Sequence, residues 1–245
     1  MQKADRLAAL GLSFFHYDTI DSTNSEAKRR ASELPLPAVL VADAQSAGRG
    51  RMGRSFYSPT GTGAYFSILH TLTSPLCDAI AITSAASVAV MRVIRQLTGI
   101  QTQIKWVNDL YYNQKKICGI LTEAASTGEG THVIVGIGIN LDTTDFPQEL
   151  RGIAGSLGTQ IDTAELIAEI YRQVSLYLQA PDNREWLADY RAHSCVLGKK
   201  ITWADAKTTR VGTAESIDED GALLIRNEQN ELIRFHTGEI SVRTI

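Results

Sequence analysis

The chain has 245 residues, of which 44% are hydrophobic and 21% charged, with 19 glycines and 6 prolines. This length fits one large domain or a medium domain with a small companion, and the composition excludes a disordered, collagenous or disulfide-stapled protein. With 24 Lys+Arg against 27 Asp+Glu the formal net charge is −3, which argues against a surface that binds nucleic acid non-specifically. The three cysteines, Cys77, Cys118 and Cys195, are far apart and lack C-x-x-C spacing. We therefore expect a reducing cytoplasm and neither a disulfide framework nor a zinc site.

Nothing near the N-terminus is typical of a secretory signal, because the charged first residues are followed by no apolar run and no small-residue cleavage site. The longest apolar stretch, residues 79–94, is interrupted by Thr83, Ser84, Ser87 and Arg92. It falls short of the ~20 apolar residues of a bilayer span. We interpret it as a buried helix and expect no membrane association.

The N-terminal part of the chain predicts two short strands with a helix between them. Residues 14–20 and 38–42 have the character of strands. Thr23 and Glu26 have the spacing of a capping box, which predicts a helix that extends to about Leu34. The prolines that follow are expected to end this helix.

A long core helix is predicted for residues 77–98, because the periodicity is helical and Gly99 suits the position just past a helix end. Further strands and helices follow from alternation and amphipathic spacing. The predicted strands are residues 63–72, 102–106, 117–125 and 132–139, with turns at 109–116 and 126–130, and the predicted helices are residues 163–178 and 184–191. Strands joined by short turns predict a mostly antiparallel sheet.

The pattern changes after residue 197 to short strands separated by turn signals. Such a pattern over about fifty residues is typical of a small β-barrel. We place a domain boundary near Ser194, which gives a first domain of residues 1–194 and a small β domain of residues 195–245. The expected fold class is α+β.

The densest motif is the Gly-Arg loop, residues 48–54, in which three glycines and three arginines share seven positions. Its glycines match the G-x-G-x-x-G string of dinucleotide-binding folds, but a predicted strand follows where that fingerprint needs a helix, so we reject that interpretation. Guanidinium groups bind phosphate and carboxylate oxygens, and glycines let a backbone fold over a ligand. The loop is predicted to be an anion-binding lid, with a solvated surface loop as the alternative.

Two further segments place polar groups at strand ends. Lys105-Trp106-Val107-Asn108-Asp109 precedes a turn, and Lys115 and Lys116 follow it. A hairpin of this length can bring an amide, a carboxylate and an ammonium together, a set that suits a carboxylate-bearing substrate beside a metal-bound phosphate. Lys115 is expected to be solvated, whereas Lys116 fits either a solvated or a functional position.

Glycines interrupt the strand Val133-Ile134-Val135-Gly136-Ile137-Gly138-Ile139-Asn140. Glycine inside a strand marks the close approach of a ligand or of another backbone. A tightly packed bulge is the alternative for this segment.

Six short motifs follow one another in a fixed order. They are Asp21-Ser22-Thr23-Asn24; Gln45; Gly48-Arg49-Gly50-Arg51 with Arg54, Ser58-Pro59 and Gly61; Lys105-Trp106 with Asn108-Asp109; Lys116 with Gly119-Ile120-Leu121; and Gly136 with Gly138 and Asn140. In this order and spacing they resemble the biotin protein ligases, and the C-terminal β unit resembles the small SH3-like domain of that family. The resemblance implies a class II synthetase-like catalytic domain, with a mixed, mostly antiparallel sheet and helices, followed by an SH3-like β-barrel.

The resemblance also implies a function. Biotin and ATP would be the substrates, with Mg²⁺, and biotinyl-5′-AMP would pass its biotin to a lysine of a biotin carboxyl carrier protein. The catalytic residues it implies are Lys116, Arg51 and Arg54. The biotin-binding residues it implies are Ser22, Thr23, Asn24, Gln45, Gly48, Arg49, Gly50, Arg51, Lys116, Gly119, Gly136 and Gly138, and the ATP-binding residues are Arg51, Arg54, Phe56, Asn108, Lys116 and Asn140. It assigns no metal ligands.

Two positions depart from the family pattern. Val107 stands where the family usually has proline, and Phe56 where it usually has tryptophan. We expect valine to keep the strand end extended, and phenylalanine to stack on adenine without the indole N–H. Neither change removes a charge that the chemistry needs.

Two alternatives to biotin ligation remain open: a lipoate–protein ligase, and a nucleotide- or RNA-binding module without turnover. Only 20 residues precede Asp21, too few for a winged helix-turn-helix, so the resemblance implies a ligase that does not bind DNA. An open sheet edge could mediate a homodimer.

Overall fold

The computed structural model describes residues 12–72, 79–128, 130–205, 208–236 and 243–244. Within these ranges the chain forms a seven-stranded sheet, a five-stranded sheet and four α-helices. The first sheet contains β1 (Ser13–Ile20), β2 (Ala38–Gln45), β3 (Gly63–Thr71), β4 (Gln103–Lys105), β5 (Asp109–Tyr112), β6 (Lys115–Thr127) and β7 (Gly130–Asn140). The second contains β8 (Lys200–Asp205), β9 (Thr208–Ile217), β10 (Leu223–Asn227), β11 (Leu232–Phe235) and β12 (Arg243–Thr244). The helices are α1 (Thr23–Arg29), α2 (Ala79–Thr98), α3 (Thr163–Gln179) and α4 (Trp186–Ala192).

The strand order of the large sheet is β1-β2-β3-β7-β6-β5-β4. β1 runs parallel to β2, and every other pair in this sheet is antiparallel. The second sheet, in the order β11-β10-β9-β8-β12, is antiparallel throughout. The predicted α+β class and the mixed, mostly antiparallel sheet are confirmed.

The two faces of the large sheet differ because successive side chains of a strand point to opposite sides. On β3, Phe66 and Ile68 belong to the main hydrophobic core, together with α2 and α3. Tyr65 and Ser67 lie on the other face, which α1 covers at one end only, through a smaller core that contains Ala27. The uncovered part of this second face holds the polar groups described below.

Helix α2 is the main core helix. Among the described residues it is the one helix long and apolar enough to cross a membrane, but 78% of its apolar window is buried inside the protein. Gly99 ends it as predicted, with φ of +74° and its N–H on the carbonyl of Arg95. The start expected at residue 77 lies outside the described residues.

Helix α1 differs from the prediction at both ends. Ser22, not Thr23, is the N-cap, with extended φ and ψ and with its hydroxyl accepting from the N–H of Ser25. The hydroxyl of Thr23 is used instead on a neighbouring strand, as described below. The helix ends at Arg29 rather than Leu34, because the N–H groups of Glu33 and Leu34 both donate to the carbonyl of Arg30 and form turns.

The turn expected at residues 109–116 contains a strand. β5 alternates around the buried Leu110 and pairs with β4 and β6. The turn itself is only Asn113 and Gln114, both at positive φ, as a two-residue type I′ hairpin requires. The strand predicted for residues 102–106 is shorter in the structure: β4 spans Gln103–Lys105. The expectation that Val107 keeps the strand end extended is wrong, because the Trp106–Val107 peptide is cis within a turn.

The second sheet packs on the first domain behind this turn. The indole N–H of Trp106 donates to the carbonyl of Gly221 over 2.9 Å, and the hydroxyl of Tyr190 donates to the carbonyl of Val107 over 3.1 Å. One hydrophobic core cluster contains Val107 together with Trp203 of β8. The two sheets therefore share a core.

Candidate active site

The start of α1 forms a buried polar cluster with β2 and β3. Thr23 donates from its N–H to Oε1 of Gln45 over 2.9 Å, and its hydroxyl lies 3.3 Å from the same atom. The amide nitrogen of Gln45 donates to the hydroxyl of Ser58 over 2.8 Å. Ser22 and Thr23 are almost completely buried. Three predicted biotin-binding residues, Ser22, Thr23 and Gln45, therefore lie together.

Asn24 is held by the sheet. Its amide nitrogen donates to the carbonyl of Leu121 over 3.2 Å and to Oε2 of Glu123 over 3.0 Å. The hydroxyl of Ser67 lies 2.6 Å from Oδ1 of Asn24 and 2.8 Å from Oγ1 of Thr23. Both amide hydrogens of Asn24 are thus used within the protein. Its orientation is fixed by contacts on two strands, β6 and β3.

The glycines of β6 and β7 form the floor beside this cluster. A Cβ atom on Gly136 would lie 1.9 Å from Oδ1 of Asn24, and one on Gly138 would lie 2.5 Å from the ring of Phe56. Gly119 pairs with Gly138 across the strands and also lies beside the Phe56 ring. The groups that approach these glycines are the side chains of Asn24 and Phe56, rather than the ligand or backbone that was predicted.

The Gly-Arg loop is an irregular hairpin between β2 and β3. The N–H of Phe56 donates to the carbonyl of Gly48, and the N–H of Gly50 donates to the carbonyl of Arg54. Met52, at the tip, has φ of +56° and is exposed. A Cβ atom on Gly48 would lie 2.3 Å from the carbonyl oxygen of Phe56, so glycine is required where the two arms meet.

The arginines of the loop have different surroundings. Arg49 forms a bidentate pair with Glu123 of β6, with both nitrogen–oxygen distances at 3.0 Å. One nitrogen of Arg51 donates to Oδ1 of Asn108 over 3.1 Å, and its other terminal nitrogen is buried without a partner among the described residues. Burial lowers the pKa of the Arg51 guanidinium, and the nearby Asp109 carboxylate opposes this shift. Arg54 is exposed at the base of the loop.

The β5–β6 hairpin brings the predicted carboxylate and ammonium together. Nζ of Lys116 lies 2.7 Å from Oδ1 of Asp109 and 6.0 Å from the centroid of the Phe56 ring. Asn108, next to Asp109, donates its amide to the carbonyl of Ile120 over 3.0 Å. Lys116 thus lies beside the glycine floor, whereas Lys115 is exposed, as expected.

Asn140 lies at the end of β7, next to the same hairpin. Its amide nitrogen donates to the carbonyl of Gly155 over 2.9 Å, and the N–H of Gly155 donates to the carbonyl of Lys116. Oδ1 of Asn140 is buried and has no partner within the described part of the chain. An acceptor is therefore left for a ligand donor near Lys116.

Three site residues were not assigned from the sequence: Ser67, Asp109 and Glu123. Asp109 stood within the quoted motif but received no role. Ser67 is a completely buried hydroxyl in an apolar strand, and Glu123 alternates with Gly119 and Leu121 on one face of β6. The alternation of side chains along a strand could have placed Ser67 and Glu123 on the same face as the glycines. Their hydrogen-bond partners could not be predicted in this way, because they depend on the order of the strands in the sheet.

Comparison with known proteins identifies the family. Residues 16–140 match the Biotin/lipoate A/B protein ligase family, and residues 196–243 match the Biotin protein ligase C terminal domain. The chain belongs to the biotin protein ligase family. The bifunctional ligase/repressor BirA of Bacillus subtilis is 36% identical over 240 residues, which cover 92% of this chain and 72% of that protein. The biotin--[acetyl-CoA-carboxylase] ligase of Paracoccus denitrificans is 31% identical over 226 residues, which cover 84% of this chain and 91% of that protein.

A solved member of the biotin protein ligase family has the same fold. The Aquifex aeolicus biotin protein ligase, determined in complex with biotin and ATP, superimposes with a TM-score of 0.82 at 27% identity. The superposition covers 95% of this chain and 99% of the other. The expected family is confirmed, and the match of residues 196–243 agrees with the expected C-terminal β unit. The boundary near Ser194 stays a prediction.

Proposed function

We propose that this chain activates biotin with ATP to biotinyl-5′-AMP and then transfers the biotin to a lysine of a biotin carboxyl carrier protein. The observation that supports this best is the convergence of Lys116, Arg51 and Asn108 beside the polar cluster of Thr23 and Gln45. An ATP-dependent biotin ligase also agrees with both family matches and with relatives named biotin--[acetyl-CoA-carboxylase] ligases.

Biotin would bind on the glycine floor, with its polar ring at the Thr23–Gln45 cluster. Gln45 keeps one amide hydrogen beyond its bond to Ser58, and Ser22 brings a buried hydroxyl to the same place. Asn24 would shape the pocket rather than donate to biotin, because both its amide hydrogens are already used. The Phe56 ring would shift from Gly138 to admit a flat bicycle.

The first step joins two anions: a biotin carboxylate oxygen attacks the α-phosphorus of ATP, and pyrophosphate leaves. The main requirement is cationic charge fixed where negative charge develops. Lys116 contacts Asp109 and Arg51 contacts the adjacent Asn108, and Arg54 would extend the cationic surface towards the pyrophosphate. Oδ1 of Asn140 would accept from the nucleotide.

The residues near Lys116 fit Mg²⁺, which takes oxygen ligands and is usually held by one or two carboxylates together with substrate phosphates. Asp109 supplies a carboxylate and Asn108 an amide oxygen in this region. When bound, the ion would neutralise part of the polyphosphate charge. Asp109 would then exchange its contact with Lys116 for one with the ion, which would leave the ammonium for substrate.

In the second step the amine of the acceptor lysine attacks the carbonyl carbon of the mixed anhydride, and AMP leaves. The Gly-Arg loop, which already lies over β6 through Arg49, would exclude water from the anhydride until the acceptor arrives. The chain would act in the cytoplasm, where carboxylase carrier domains and reduced cysteines are both expected.

The test is ATP–pyrophosphate exchange by the purified chain with Mg²⁺, run with biotin, with lipoate and with neither acid. Exchange that depends on biotin, followed by labelling of a carrier domain, is the expected result. Exchange with lipoate alone would move the activity to the other branch of the family. No exchange with either acid would contradict the proposed first step and favour a binding module.

A further inference from the structure

One carboxylate on β6 connects three segments that are far apart in the sequence. Both oxygens of Glu123 accept from the guanidinium of Arg49, and Oε2 also accepts from the amide of Asn24. Arg49 belongs to the Gly-Arg loop, and Asn24 to the first turn of α1. The Glu123 side chain is 17% exposed and that of Arg49 is 42% exposed, so the carboxylate is the more enclosed partner.

We propose that Glu123 is a positioning residue that holds the Gly-Arg loop over the site through Arg49 and fixes the amide of Asn24. This inference rests on the proposed function, because holding the loop matters for the reaction only if the loop protects an adenylate. Glu123 takes no part in the chemistry.

The loop is held at two points. Arg49 donates hydrogen bonds to Glu123 on β6, and Arg51 donates one to Asn108 in the turn between β4 and β5. Between them, the ring of Phe56 lies over Gly138. A bidentate arginine–carboxylate pair has a directional geometry that a single point charge lacks. Loss of the Glu123 contact would leave Arg51 as the remaining side-chain anchor among these contacts.

The pair of Arg49 and Glu123 also affects which arginines of the loop keep an unbalanced positive charge. The positive charge of Arg49 is matched by Glu123 inside the protein. Arg51, whose hydrogen-bond partner Asn108 is neutral, keeps its positive charge for anionic substrates. Arg49, predicted from the family resemblance as a biotin-binding residue, would therefore act through its side chain on Glu123.

Asn24 connects the carboxylate to the pocket. Its Oδ1, next to the hydroxyl of Ser67, lies directly over Gly136. When the Glu123 carboxylate is removed, the charged acceptor of the Asn24 amide is lost. The carbonyl of Leu121 and the hydroxyl of Ser67 then remain to orient Asn24. The shape of the glycine floor would then be less well fixed.

Trypsin cleavage of the purified chain without substrates gives a readout that does not depend on activity, because the Gly-Arg loop offers Arg49, Arg51 and Arg54 as cleavage sites. In Glu123→Gln, cleavage in the loop should be about three- to fivefold faster, the effect of removing one partly exposed charge pair. The matched control is Glu215→Gln, which removes the charge of another bidentate pair, with Arg226 in the β domain. The control should leave loop cleavage unchanged.

A double-mutant cycle separates the pair from general weakening. Arg49→Gln, Glu123→Gln and the double variant should all accelerate cleavage after Arg51 and Arg54 to a similar extent, because each removes the same interaction and all three keep these two cleavage sites. Additive effects, or loop cleavage of Glu123→Gln at the wild-type rate, would overturn the proposal. Equal acceleration at sites throughout the chain, with a matching fall in Tm, would also overturn it, because Glu123 would then be a general structural residue.

The link to the reaction is measured as release of biotinyl-adenylate after a single turnover. Glu123→Gln should release it about three- to fivefold faster than the wild type, in step with loop cleavage. Unchanged release with a more easily cleaved loop would overturn the role in retention. Failure of the wild-type chain to form adenylate would instead count against the proposed function and would leave the proteolysis result intact.

Discussion

The ammonium of Lys116 lies 2.7 Å from the carboxylate of Asp109, across the short β5–β6 hairpin. The pair is partly exposed, so solvent screens the attraction between its two charges. Its position beside Gly119 places the ammonium at the edge of the glycine floor. The hairpin thus holds the ammonium beside the Asp109 carboxylate.

Replacing Lys116 by Ala should reduce biotin-dependent pyrophosphate exchange by about 10²–10³, the effect of losing one preorganised donor to developing negative charge. The matched control is Lys115→Ala, which removes the neighbouring exposed lysine and should retain exchange. Near-normal exchange by Lys116→Ala would show that the lysine does not assist adenylation.

Replacing Arg51 by Gly should let the adenylate escape, because this residue connects the loop to Asn108. We expect release of biotinyl-adenylate about tenfold faster, the size of one charge-assisted hydrogen bond, and biotinylation of bystander lysines in a mixture of unrelated proteins. Met52→Gly makes the same change at the exposed tip, where a positive φ already suits glycine, and should retain the intermediate. Equal retention by both variants would contradict the role of Arg51.

Replacing Gly136 by Ala should displace Asn24, because the new Cβ would lie 1.9 Å from its Oδ1. The expected cost is about 1–3 kcal/mol of unfolding free energy, as for a buried polar group that loses its partners, together with a higher KM for biotin. Gly152→Ala, where no atom lies within 4 Å of the added Cβ, is the control for chemical denaturation and kinetics. An unchanged KM for biotin in Gly136→Ala would mean that Asn24 does not shape the pocket.

Acid should weaken the ion pair between Asp21, just before α1, and Arg29, at the end of α1. The Arg29 guanidinium lowers the pKa of Asp21 to about 2, from an ordinary value of 3.8. Because the pKa is lower in the folded state, the stabilisation is complete above pH 3.8 and is lost as the pH falls towards 2. Asp21→Asn should therefore lower the unfolding free energy at pH 7 by no more than about 1 kcal/mol, since solvent screens this exposed pair.

The difference between Asp21→Asn and the wild type should shrink as denaturation is repeated from pH 5 down to pH 2.5. Asp145→Asn changes an exposed carboxylate elsewhere and is the control. A difference that stays constant across this range would indicate that Asp21 acts through something other than its charge.

The sequence predicted the long elements well, because their patterns are local. Residues 132–139 and 163–178 were expected as a strand and a helix, and β7 and α3 contain them. The short β5 was missed, since its four residues lie between polar turn signals and are fixed by pairing on both sides. Pairing with neighbouring strands depends on the tertiary fold, and the β-propensities of the four residues do not predict it.

The site was predictable as a set of motifs but not as a network. The hairpin spacing predicted that Lys116 meets a carboxylate. The contacts of Glu123 with Arg49 and of Ser67 with Asn24 join residues 74 and 43 positions apart. The first contact joins the loop after β2 to β6, and the second joins β3 to α1, so both depend on how these elements are arranged in the folded chain. No local pattern in the chain encodes that arrangement.

The carbonyl of Gly221 and the indole of Trp106 join the C-terminal barrel to the turn that leads to Asn108 and Asp109. Since Val107 and Trp203 lie in one continuous core, cutting the chain near residue 194 would expose apolar surface on both fragments. The second sheet therefore supports the turn that carries Asn108 and Asp109. Heat should melt the two sheets in a single cooperative transition.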